Sequence, residues 1–187
     1  MKKIILLMFA IVLITGCQNK DVLDTSELEI EESIGNDGED ISVKQLKEMN
    51  LPIMYKAPSV EAGLEAIPFE MTLPETLPFE TEGFRPPKIV DYTYEGKMIE
   101  IEFNATPKQK DKRIFITIKA ENFGEYEGHG EGVKINDKVN GAIENNSLTF
   151  QTDGILYYIS YINKEISEEK HEQELIQLAL QMLEKSS

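Results

Sequence analysis

The chain has no tryptophan, two histidines, two arginines and a single cysteine, Cys17, among 187 residues. With one cysteine there is no internal disulfide, so burial and hydrogen bonds must hold the fold together. Two histidines in unrelated contexts offer little of the acid–base chemistry that this side chain supplies near neutral pH. The G-x-S-x-G, H-E-x-x-H and phosphate-cradling glycine patterns are absent, which weighs against a hydrolase and leaves a non-enzymatic role as the expectation. Basic side chains are also scarce, 19 against 34 acidic, for a formal charge of −15. Such a surface repels nucleic acid and anionic lipid headgroups, so neither is an expected partner. No long hydrophobic run occurs either. The longest, residues 4–14, would rise only about 16 Å as a helix, against about 30 Å of bilayer hydrocarbon.

That short run reads as an address. Lys2 and Lys3 form a positive start, IILLMFAIVLI an apolar core, and Thr15-Gly16 the small residues before a cleavage site. This is the layout of a secretory signal peptide spanning residues 1–16. The segment Ile14-Thr15-Gly16-Cys17 resembles the lipobox of bacterial lipoproteins: an aliphatic residue, two small ones, then cysteine. The resemblance implies a diacylglyceryl group on the Cys17 sulfur, cleavage before Cys17, and often acylation of the new amino terminus. Two or more long chains anchor a protein stably where one binds only marginally, so the expected partner of Cys17 is the membrane. Lysine outnumbers arginine 17 to 2, which suits a host of low G+C content and the outer leaflet of a Gram-positive cell membrane. Gln18 stands where an aspartate would suggest inner-membrane retention in a Gram-negative host, so that alternative stays open.

Without residues 1–16 the chain has 171 residues, 17 basic against 34 acidic side chains and a formal charge of −17. That length suffices for one domain with a proper core. Residues 17–40 are acidic, poor in aromatics and without sustained periodicity, which predicts a flexible tether behind the lipidated cysteine. Asn36 to Asp40 lacks the alternating ligands and distal glutamate of an EF-hand and belongs to the same tether.

A single α+β domain is expected over 41–187. Ser42 with Gln45 forms a capping box that starts a short helix closed by Pro52, and Ser59 starts another that must end before Pro68. Pro68, Pro74, Pro78 and Pro86 forbid a long helix or central strand and predict an extended, edge-like path. Downstream, alternation predicts an antiparallel sheet of about six to eight strands. Val90, Tyr92 and Tyr94 share one face; Ile99, Ile101 and Phe103 form the next row, and Ile114, Ile116 and Ile118 another. Asp153-Gly154 is a strong hairpin signal. The strand after it, Ile155 to Ile162, is apolar on both faces and is expected to be central and covered. A C-terminal helix capped by Ser167, with a stripe of Leu175, Ile176, Ala179, Leu180, Met182 and Leu183, supplies the cover.

This order of elements resembles uncharacterised extracytoplasmic domains of Gram-positive lipoproteins and of membrane-anchored regulators in sporulating bacteria. The matching residues are Ser59, Glu61 and Ala62, then Pro68-Phe69, Pro74, Leu77-Pro78 and Gly83-Phe84. Later matches are Leu148 to Phe150, Gly154, Tyr157-Tyr158 and the helix from Ser167 to Leu183. The resemblance spans about residues 57–185. It rests on turn and core positions, so it supports the fold and transfers no active site.

The segment most suggestive of chemistry is ENFGEYEGHGEG, residues 121–132. In an extended chain Glu125, Glu127, His129 and Glu131 would point to one side and offer oxygen and nitrogen ligands to a divalent metal. Its glycines argue instead for a mobile, solvated loop. His171, in the first turns of the last helix, is expected on the polar side. The expected function is therefore a lipid-anchored, extracytoplasmic, non-enzymatic binding or scaffolding module with no cofactor and an envelope protein as possible partner. The alternatives are a small-ligand or lipid-binding module with an apolar cavity, and a metal-dependent enzyme using residues 125–131.

Overall fold

Strict alternation of apolar and polar residues dominates the middle of the chain, and those segments fall at the centre of one sheet. The computed structural model describes residues 21–31, 41–109 and 112–184. The signal segment, Cys17 and residues 32–40 of the expected tether lie outside the described residues. The strands are β1 (Glu29–Ile30), β2 (Ile53–Lys56), β3 (Lys88–Asp91), β4 (Ile99–Ala105), β5 (Ile114–Glu121), β6 (Glu131–Lys134), β7 (Asn140–Glu144), β8 (Ser147–Thr152) and β9 (Ile155–Asn163). The helices are α1 (Val43–Glu48), α2 (Val60–Ala66) and α3 (Glu168–Glu184).

All nine strands join one antiparallel sheet in the order β1-β2-β3-β4-β5-β9-β8-β7-β6. It consists of two meanders placed side by side, β1 to β5 and β6 to β9, stitched where β5 pairs β9 from Ile114↔Asn163 to Glu121↔Leu156. Nine strands exceed the expected six to eight because β1 and β2 carry almost no sequence signal. β2 is four residues behind Pro52 and β1 only two.

One face is the core. Ile99, Ile101 and Phe103 of β4, Ile116 and Ile118 of β5, and Ile159 of β9 are fully buried, each contributing roughly 2 kcal/mol by burial. Two layers cover this inner face. α3 packs on β9 and β8 through Leu175, Leu178, Ala179 and Met182. The proline-rich segment 67–84 runs beside it without helix or regular strand. Thr72 Oγ1 donates to the Met182 carbonyl at 2.6 Å, Thr76 N donates to Gln181 Oε1 at 3.0 Å, and Phe84 meets Phe103 edge-on. The capping residues behave as expected: Ser42 and Gln45 complete the box of α1, and Ser59 accepts from Ala62 N at 3.1 Å.

The outer face is open and charged. Lys56, Lys88, Glu102 and Lys119 stand side by side in register on β2, β3, β4 and β5. Lys119 Nζ lies 3.0 Å from Glu102 and 3.5 Å from Glu100. β9 is central, yet only its inner face is covered, for Tyr158 and Ile162 on the outer face remain 40% exposed. Among the described residues no helix is long and apolar enough to cross a membrane.

Two expectations are corrected here. Residues 21–31, read as tether, are docked on the domain. Leu23 is buried, its N–H donates to the Gly96 carbonyl at 2.8 Å, Asp24 N donates to the Ala66 carbonyl at 2.9 Å, and Glu29 and Ile30 pair with β2. Glu31 then lies 3.1 Å from Lys56 Nζ and 3.5 Å from Lys88 Nζ. Second, the strand expected to carry Val90, Tyr92 and Tyr94 on one face stops at Asp91, and Ile89 faces the core. The residues that follow form a loop around a buried carboxylate. Asp91, 3% exposed, accepts from Thr93 N, Thr93 Oγ1 and Tyr94 N through Oδ1 and from Gly96 N through Oδ2, at 2.9 to 3.1 Å. This nest of donors holds Tyr94 at φ +62° and Gly96 at φ +71°. Only glycine suits position 96, since an added Cβ would fall 2.8 Å from Leu23 N.

Candidate functional site

Two depressions flank β6 and β7, one on each face of the sheet. The outer one lies under the connection from β5 to β6, which crosses from the middle of the sheet to its edge. Gln151 of β8 ties that connection down: its Nε2 donates to the Gly124 carbonyl and its Oε1 accepts from Tyr126 N, both at 3.3 Å. The resulting hollow of about 340 Å³ is bordered by Glu125, Glu127, His129, Ser147 and Tyr158.

The four residues expected to share one side do not do so. His129 Nε2 and Glu127 Oε2 meet at 2.8 Å, and both side chains are exposed. Glu125 borders the same hollow, whereas Glu131 opens β6 and borders the depression on the opposite face. The cause is local: Gly128 at φ +68° and Gly130 at φ +106° break the alternation that an extended chain would have kept. Among the described residues no group of three or more His, Cys, Asp or Glu side chains gathers to hold a metal ion.

The inner depression is the better-built site. It is a cleft of about 570 Å³ between the edge strand β6, its neighbour β7 and the start of α3. Val133 and Ile143, at register positions facing the core, form its floor, and Ile166 and His171 line it from the β9–α3 connection and from α3. Asn145 and Asn163 add polar groups at its border. The turn between β7 and β8 that presents Asn145 is tight, with Asn145 at φ +55°, a conformation asparagine tolerates well. The helix begins here because Ser167 caps it: Lys170 N donates to Ser167 Oγ at 3.3 Å and His171 N to the Ser167 carbonyl at 2.9 Å.

His171 corrects the expectation of a solvated side chain. It is 6% exposed and stacks on Tyr161 with ring centroids 4.9 Å apart and planes 13° from parallel. Its Nε2 is buried without a hydrogen-bond partner among the described residues. A buried polar atom left this way costs about 1–3 kcal/mol, which a bound donor or acceptor would recover. Tyr161 is itself held, its hydroxyl accepting from Asn163 Nδ2 at 2.9 Å. Burial raises the Tyr161 hydroxyl above its ordinary range, the Asn163 hydrogen bond works against this and Glu174 adds to it, so the ring is neutral at physiological pH.

A sequence signal for His171 exists in hindsight. Positions 171, 175, 178 and 182 recur at spacings of four, three and four, the inward stripe of a helix. The apolar residues at 176, 180 and 183 drew the expected stripe to one side of it, and these are only half-buried. The two histidines thus lie on opposite faces, one paired with a carboxylate in solvent and one stacked in a cleft. Comparison with known proteins yields no relative: no family model, no curated protein and no solved structure matches the chain.

Proposed function

We propose that this chain is a lipid-anchored extracytoplasmic protein whose domain serves as a non-enzymatic binding or scaffolding module at the cell envelope. The observation that carries the proposal is the sole cysteine, placed at the end of an eleven-residue apolar run behind two small residues. Anchoring at Cys17 makes a transmembrane helix unnecessary, because the acyl chains supply the membrane affinity. Radioactive palmitate fed to expressing cells should label the protein, and Cys17→Ser should remove both the label and the membrane association. An unlabelled protein, or a Cys17→Ser variant still firmly in the membrane fraction, contradicts the proposal.

For binding, the cleft beside α3 supports the reading best. It joins an apolar floor to asparagine amides and to the unpartnered His171 Nε2, which together favour a ligand that is partly apolar and hydrogen-bonding. A photo-crosslinker placed at Asn145 in intact cells should yield an adduct with an envelope component, and His171→Ala should abolish it. No adduct from this position refutes the cleft as the binding face. A small-ligand reading is favoured by one observation: 570 Å³ falls within the roughly 300–1,000 Å³ of small-molecule sites. Extra mass on the soluble domain in native mass spectrometry, lost in His171→Ala, would select it over a protein partner.

A further inference from the structure

Four of the eight large apolar side chains left exposed among the described residues, Val22, Leu51, Tyr92 and Met98, gather around one loop, Asp91 to Met98. Val22 sits 3.4 Å from where a Cβ would stand at Gly96, and Tyr92 N donates to the Met98 carbonyl at 3.1 Å. Tyr94 donates its hydroxyl hydrogen to the Leu51 carbonyl at 2.7 Å, and Met49 is two residues upstream. Loop tips are usually polar, so an apolar rim around one marks contact with another phase or molecule.

The chain leading to the rim identifies the contact. Leu23 is fastened to Gly96, and Cys17 precedes Val22 by only five residues, at most about 18 Å of fully extended chain. Whatever holds Cys17 therefore lies close to this end of the sheet. The strand register puts the His171 cleft at the other end, because Asn163 pairs with Ile114 while Glu121 pairs with Glu100 next to the loop. The length of β5 separates the two by about 25 Å.

We infer that the rim of Val22, Leu51, Tyr92 and Met98 seats on the lipid bilayer, so that the sheet stands on the membrane with its cleft pointing away. The inference rests on lipidation of Cys17. Local charge does not supply the contact. Lys97 and Glu95 pair at 2.8 Å on the loop, while Lys119 is shared between Glu100 at 3.5 Å and Glu102 at 3.0 Å, which leaves an acidic excess with Glu121 beside Tyr92. With no cationic charge to draw on, apolar burial and the amphipathic tyrosine ring at the interface drive the contact. It should be insensitive to salt.

The absence of tryptophan makes the orientation measurable. Met98→Trp and Ile162→Trp, made separately in the full-length lipidated protein, each introduce one fluorescent reporter, at opposite ends of the sheet. In phosphatidylcholine vesicles brominated on the acyl chains, the reporter at 98 should be quenched several-fold more strongly than that at 162, with no change on adding salt. Tyr92→Trp serves as a second rim reporter should position 98 disturb folding. Equal quenching at both ends of a vesicle-bound protein overturns the orientation and leaves the anchor standing. A protein that carries no lipid and stays off the vesicles overturns both.

Discussion

The two ends of the sheet treat a buried polar side chain in opposite ways. At the rim, Asp91 is buried to 3% exposure and every lone-pair direction it needs is filled, by three backbone N–H groups and a threonine hydroxyl. At the cleft, His171 is buried to 6% and its Nε2 has no partner among the described residues. A satisfied buried group specifies structure, while an unsatisfied one is a cost that folding alone does not recover. The first end is therefore built for rigidity and the second retains an unused hydrogen bond beside a cleft, which fits a rigid mooring and a binding face.

The comparison is broken most severely at Asp91. Asp91→Ala leaves the N–H groups of Thr93, Tyr94 and Gly96 without their acceptor and should cost about 3 kcal/mol or more in chemical denaturation. The loop should lose order with it, and residues 21–31 should exchange amide hydrogens faster. A smaller loss is expected for Leu23→Ala, about 2 kcal/mol from the buried side chain, with the exchange effect confined to residues 21–31. At the cleft the sign should reverse. His171→Phe keeps the stack on Tyr161 and deletes the orphan nitrogen, so stability should stay level or rise by up to about 1 kcal/mol. A His171→Phe variant destabilised as strongly as Asp91→Ala would show the histidine to be a structural group like the aspartate.

The smallest effect concerns pH. Hydrogen bonding from Lys56 and the charge of Lys88 hold the Glu31 carboxyl below its ordinary value of 4.5, against the opposing effect of burial. A carboxylate lowered by folding adds stability above the unfolded value, and that contribution is lost as pH falls through the folded one. Both lysines are more than half exposed, so the gain amounts to a few tenths of a kcal/mol. Protection factors at residues 29–31, with the intrinsic pH dependence of exchange divided out, should fall slightly below about pH 4.5, a fall absent from Glu31→Gln.

The two ends also differ in how legible they were. The centre of the sheet was readable because Ile99, Ile101 and Phe103 and then Ile114, Ile116 and Ile118 alternate without a break, and Asp153-Gly154 marks the β8–β9 hairpin through positive φ at both residues. Docking of residues 21–31 left almost no trace, since it depends on Leu23 and Leu28, on the pairing of Glu31 with Lys56 and Lys88, and on backbone hydrogen bonds that any sequence can make. The nest around Asp91 was hidden for a similar reason: DYTYEG alternates like a strand, but one carboxylate recruiting four donors ends β3 early. In the cleft the polar identity of His171 masked its place on the buried stripe. The β5–β6 connection was misjudged because Gly128 and Gly130 turn the backbone where simple alternation assumes an extended chain.

The proposed anchoring and orientation both depend on lipidation of Cys17, so mass spectrometry of the amino-terminal peptide from membrane-extracted protein is the most direct measurement. A peptide beginning at Cys17, with residues 1–16 gone and a diacylglyceryl thioether on the sulfur, is the predicted result. A free thiol at Cys17, or a chain still carrying residues 1–16, would contradict the lipid mooring and the outward-facing cleft with it.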